Sequence, residues 1–83
     1  MDGEEITDGE LKDLIKRFEI NYSEGEFDYY TPENLNHIID YYIDKPNYKT
    51  ALKVAQVGID QHPFDASFYS KKAFINTITD NTD

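Results

Sequence analysis

Cysteine is absent from this 83-residue chain. That excludes a disulfide framework and a thiolate metal site, and it suits a reducing, cytoplasmic compartment. Long apolar runs are missing too: nothing approaches the ~20 residues of a membrane span. The opening Met1-Asp2-Gly3-Glu4-Glu5 is acidic and lacks an apolar core, so it does not read as a secretory signal. Positive charge is scarce. The chain has 8 Lys and Arg against 17 Asp and Glu, for a net charge of −9. Nucleic acid and anionic lipid both require Lys and Arg to displace counterions, so neither is expected as a partner. A basic or neutral protein surface suits this charge better.

With 30% charged and 39% hydrophobic residues, the composition is that of an ordinary globular domain. The length allows one domain with a modest core. Segments 1–7 and 79–83 are polar and patternless and read as a flexible N-terminus and a disordered tail. Between them, 8–78 reads as four helices. Thr7-Asp8-Gly9-Glu10 is a capping box, and a helix is expected from Asp8 to about Tyr22. Leu11, Leu14, Ile15, Phe18 and Tyr22 recur at helical spacing and form its apolar stripe. Gly25 is the expected left-handed stop. Phe27-Asp28-Tyr29-Tyr30 has no second strand to pair with, so it reads as an extended linker whose rings fold over the helix junction.

Thr31 is the next N-cap, with Pro32 at the first helical position, where its missing N–H costs nothing. Leu35, Ile38, Ile39, Tyr42 and Ile43 form the stripe of the second helix. Pro46 ends that helix at Asp44 or Lys45, because it disfavours α conformation at the residue before it. Asn47 caps a third helix with Ala51, Leu52, Val54, Ala55, Gly58 and Ile59 on its buried face. The small Ala51, Ala55 and Gly58 allow another helix to come close. Pro63 stops this helix and Asp65 caps a fourth, Ala66 to about Ile78, with Phe68, Tyr69, Lys72, Ala73 and Ile75 or Ile78 facing inward.

Pro32 to Asp65 is a 34-residue helix–turn–helix unit. Leu35, Ile38, Tyr42, Tyr48, Ala51, Leu52, Ala55, Gly58 and Pro63 occupy the bulky, aromatic, small and proline places of a tetratricopeptide repeat (TPR), which the unit resembles. The register restarts at Ala66, with Tyr69 and Ala73 at the aromatic and small places. Ile39 departs from the usual Gly or Ala, and Ala55 is smaller than the usual residue at its place. Leu11 to Tyr30, with its Arg17-Phe18-Glu19 and Glu26-Phe27-Asp28 runs, is similar to the segment that opens some bacterial multi-repeat TPR proteins. The resemblance covers most of 8–78. It implies an all-α, four-helix TPR-like fragment of a right-handed α-solenoid: a leading helix (8–25), one repeat unit (32–65) and the first helix of a second repeat (66–78).

The resemblance also implies a non-enzymatic interaction or scaffolding module. In TPR arrays the first helix of each repeat lines a concave groove for protein segments. The matching places here are Glu33, Asn36, His37, Asp40 and Asp44, with Ser70, Lys71 and Phe74 from the fourth helix. Chaperone-binding TPR domains clamp a carboxylate with Lys, Asn and Arg at such places. Glu33, His37 and Asp40 stand there instead, so a basic or neutral peptide is expected rather than an acidic tail.

No cofactor or catalytic centre is expected. Asp40 and Asp44, or His37 and Tyr41, lie one turn apart, as pairs on any polar helix face do. His37 and His62 lack metal-motif spacing. Asn21-Tyr22-Ser23 matches the glycosylation tripeptide, without other signs of secretion. The alternative is a small acidic protein that self-associates through its C-terminal helix as a homodimer, or that inhibits by occupying a basic protein surface.

Overall fold

A computed structural model describes residues 6–79. The flexible and disordered ends expected at 1–5 and 80–83 lie outside the described residues. Among the described residues there are four α-helices and no strand: α1 (Asp8–Glu24), α2 (Pro32–Asp44), α3 (Tyr48–Gln61) and α4 (Ala66–Ile78). None of them is long and apolar enough to cross a membrane.

Side chains that satisfy orphan backbone groups set the helix boundaries. At α1 the capping box is closed: Thr7 Oγ1 accepts from the Glu10 N–H at 3.1 Å, and Glu10 Oε1 accepts from the Thr7 N–H at 3.1 Å. Thr31, Asn47 and Asp65 accept from the N–H groups of Asn34, Thr50 and Ser67 at the starts of α2, α3 and α4. α1 runs past Tyr22 to Glu24 and stops where Gly25 takes φ 77°. The Gly25 N–H then reaches the Tyr22 carbonyl and the Glu26 N–H reaches that of Asn21, which is the Schellman arrangement.

Packing runs in series: α1 lies on α2, α2 on α3, and α3 on α4. α3 is therefore covered on two flanks, and it buries Ala51, Val54, Ala55, Val57 and Gly58. Val57 is buried although it lies outside the expected face. On α4 only Phe68 and Ile75 are buried, which corrects the expected inner face. Tyr69 is 50% exposed and Ala73 is exposed as well, because α4 turns Phe68, Lys72 and Ile75 toward α3 instead. The Phe68 ring lies directly on Gly58, where an added Cβ would overlap it.

α1 is attached through rings. Phe18, fully buried, lies 5.2 Å from Phe27, 6.3 Å from Tyr30 and 6.3 Å from Tyr42 between centroids, and meets Tyr22 edge-on at 6.1 Å. Full burial of a ring of this size contributes roughly 1.5–3 kcal/mol. The linker rings thus fold over the junction as expected, except Tyr29, which is exposed and meets only the edge of His62.

Polar side chains fix the linker in place. Asn21, 5% exposed, accepts from the Tyr30 hydroxyl at 2.5 Å and from the Asp28 N–H at 3.0 Å. Its amide is committed inside the fold, so the glycosylation tripeptide is not presented. From the end of α3, Gln61 accepts from the Tyr30 N–H at 3.0 Å and donates to the Asp28 carbonyl at 2.8 Å. His62 Nε2 lies 2.7 Å from the Tyr30 carbonyl, which can only accept, so this nitrogen carries the proton.

The Tyr42 hydroxyl donates to Glu19 Oε2 at 3.1 Å and ties α2 to α1. Burial, then the bond to Glu19 and its charge, push the Tyr42 pKa well above that of an ordinary phenol. Burial and then the charge of Asp28 raise that of Tyr30, with Arg17 opposing.

Two outcomes are expected. Gly58→Ala would gain about 1 kcal/mol from helix propensity alone, but overpacking against Phe68 costs about 1–3 kcal/mol. The variant should therefore be less stable in urea denaturation, and an equal or higher midpoint would contradict the packing. Separately, both raised tyrosines favour the neutral phenol in the fold. Their contribution is complete below the unfolded value of about 10 and is lost as pH climbs toward the folded values. Tyr42→Phe should flatten the fall of stability above about pH 10, read by helical circular dichroism. A slope identical to the parent would rule out Tyr42 as a cause.

Candidate functional site

α2 and α4 lie on two flanks of α3, and the surface between them is a groove of about 350 Å³ lined by Asp40, Ile43, Ser70, Lys71 and Phe74. Two side-chain links hold its walls. Lys71 Nζ donates to Asp40 Oδ1 at 2.6 Å, and Asn36 Nδ2 donates to Ser67 Oγ at 3.3 Å. Both span 31 residues in sequence, so a single offset relates the paired positions of the two helices.

Of the residues singled out by sequence, Asp40, Lys71 and Phe74 come together here with Ser70. Asn36 is at the α2–α4 junction rather than in the groove. Its Nδ2 also donates to the Pro32 carbonyl at 3.1 Å, and its Oδ1 is buried without a partner among the described residues. Such an acceptor costs roughly 1–3 kcal/mol. Glu33 is exposed in the first turn of α2, Asp44 is exposed in the last, and His37 is half-buried between them. None of these three lines the groove. Ile43 does line it; its place in the α2 stripe marked it as core, while its position beside Asp40 and Asp44 also puts it at the groove edge.

The groove joins an apolar floor, Ile43 and Phe74, to a paired carboxylate and ammonium, Asp40 and Lys71. Phe74 is 51% exposed and offers a ring face next to Ile43. The ammonium of Lys71 is neutralised by Asp40, an exposed pair worth about 0.2–1 kcal/mol. Glu33 and Asp44 then leave the outer surface of α2 with surplus negative charge. Asp40 is bonded to Lys71 rather than set against Asp44 as an acid/base pair. Among the described residues, no group of three or more His, Cys, Asp or Glu side chains is arranged to hold a metal ion.

A second concavity, about 580 Å³, surrounds the α3–α4 turn and is lined by Pro32, Gln61, His62, Pro63, Phe64, Asp65 and Ala66. Phe64 stands fully exposed at its edge. The sequence pattern gave no signal for it, because a single aromatic beside Pro63 reads as turn material. Here Asp65 sets the start of α4. The Ser67 side chain and then the Ser67 N–H hold its carboxylate below the usual aspartate value, with His62 adding a smaller push in the same direction.

A depressed folded value means that this cap is fully effective above the unfolded pKa of about 3.9 and is lost as pH falls through the folded value. Amide exchange at Ser67 should therefore quicken in acid before exchange in the middle of α4. Asp65→Asn, which keeps an accepting oxygen, should remove that pH dependence. If Ser67 loses protection at the same pH in both proteins, Asp65 does not control the cap.

The chain, with its helical groove, matches no protein-family model, no curated protein and no solved structure.

Proposed function

We propose that this chain is a non-enzymatic protein-interaction module built on TPR-like helical hairpins, and that the α2–α4 groove receives a basic or neutral peptide segment. The observation that carries this reading is the groove itself, where the half-exposed Phe74 and the partly buried Ile43 sit beside Asp40, whose carboxylate balances the one cation of the lining, Lys71, while Asp44 stands exposed one turn further along α2. An aliphatic side chain of the peptide would enter against Phe74 and Ile43. A flanking Lys or Arg would meet Asp40 or Asp44, which steers encounter and selects against acidic segments. The TPR-like part of the proposal draws on the recurrence of the Pro32 register at Ala66 and on the placement of α2 and α4 along one α3.

The test is a titration of isotope-labelled protein, followed by NMR, with a short leucine peptide flanked by lysines and with its glutamate-flanked counterpart. The lysine peptide should shift the resonances of Asp40, Ser70 and Phe74, and added salt should weaken it. Phe74→Ser should lower its affinity by about tenfold or more, as expected of an aromatic anchor. Equal binding of the two peptides, or shifts confined to other surfaces, would remove the groove from the proposal.

A further inference from the structure

The two walls of the groove carry opposite charge. α2 holds Glu33, Asp40 and Asp44 and no Lys or Arg, whereas α4 holds Lys71 and Lys72 and no Asp or Glu. The walls meet at one ion pair, Lys71 Nζ to Asp40 Oδ1 at 2.6 Å. Lys72 takes no part in it, because its ammonium donates to Gln56 Oε1 on α3 at 3.1 Å. Asp40 and Lys71 are the two charged residues of the lining, so the lining is neutral as a whole. The two members of the pair differ in cover. The Lys71 side chain is 29% exposed and that of Asp40 62%, so the carboxylate lies open to solvent while the lysine is largely held against its wall. Asp44, one turn further along α2, is exposed and joins no ion pair among the described residues.

We infer that Lys71 is the specificity-determining residue of the groove: it masks Asp40 and so passes the recognition of a ligand's cation to Asp44. The inference rests on the peptide reading of the groove and gives that peptide a polarity. A cation that settles on Asp40 must first displace Lys71, so one exposed pair is exchanged for another and little is gained. A cation on Asp44 displaces nothing and forms a new pair. Asp44 lies four residues beyond Asp40, about 6 Å along the helix axis. The favoured ligand therefore sets an apolar side chain against Ile43 and Phe74 and carries a Lys or Arg displaced from it toward the C-terminal end of α2. A cation on the opposite side of that anchor comes against the Asp40–Lys71 pair and finds no unbalanced charge in the lining. Lys71 thus supplies the repulsive element that positional selectivity requires.

The test is a double-mutant cycle read by NMR titration with the lysine-flanked leucine peptide. Lys71→Met removes the charge and keeps an unbranched stem, and Asp40→Asn and Asp44→Asn each remove a carboxylate charge at nearly constant shape. None of the three side chains belongs to the buried core, so the fold is retained. Lys71→Met should bind the peptide more tightly by up to about fivefold, the most that an exposed pair supports. Asp44→Asn should weaken the parent by a similar factor. Asp40→Asn should weaken the parent little and the Lys71→Met protein by more, since Asp40 is uncovered there. Equal factors for Asp40→Asn in the two backgrounds overturn the inference while leaving the groove as the binding surface. Lys71→Met binding no tighter than the parent does the same. A peptide that moves no groove resonance in the parent or in any variant removes the groove reading itself, and the inference with it.

Discussion

How closely α4 can lie on α3 is decided at one point, where the Phe68 ring rests on the bare Cα of Gly58. Any side chain there would push α4 outward. The consequence reaches the opposite side of α4, because the α2–α4 groove exists only while both helices hold their positions along α3. The exposed Lys71–Asp40 pair and the long, 3.3 Å Asn36–Ser67 bond are too weak to set that spacing. They select a register between helices that packing has already brought together. A glycine, which lowers the intrinsic helicity of α3, is thus retained for a contact that gives the groove its shape.

The two ends of the molecule are built with different chemistry. Around α3 the core is aliphatic and small, with Leu35, Ile38, Ile39, Ala51, Val54 and Ala55 fully buried. Around α1 it is aromatic, with Phe18 at the centre of a ring cluster and three hydroxyl- or amide-bearing side chains, Asn21, Tyr30 and Tyr42, turned into it. The second arrangement is the more conditional. Each buried hydroxyl must keep its partner, so α1 is bound by specific hydrogen bonds as well as by area, and it responds to alkali where the aliphatic part does not.

Local rules made the helix ends legible. Thr7, Thr31, Asn47, Asp65, Gly25 and Pro32 each act through a neighbour a few residues away, and a sequence displays such pairs directly. Long-range partners left no such trace. In sequence Asn21 shows only a glycosylation tripeptide, and nothing there points to Tyr30 and Asp28 as its partners; nor does anything tie Gln61 and His62 to a linker 31–33 residues earlier. The inner face of α4 was misread for a different reason. Its apolar residues are spread around most of the helix, so periodicity does not select one side, and the choice falls to Gly58, which admits Phe68. Of the residues named from the TPR resemblance, Asp40, Lys71 and Phe74 line one groove, while Glu33, His37 and Asp44 lie on other parts of α2.

Gln61 has a consequence beyond holding the linker. Phe27-Asp28-Tyr29-Tyr30 is rich in residues that favour strands, and a strand-forming segment with open backbone groups is a template for pairing between chains. The side-chain amide of Gln61 takes the Asp28 carbonyl and the Tyr30 N–H together, the same two groups that a neighbouring strand would take. One glutamine thus stands in for the missing strand, and an all-helical protein keeps an aggregation-prone sequence in its fold by closing the edge on which aggregation would begin.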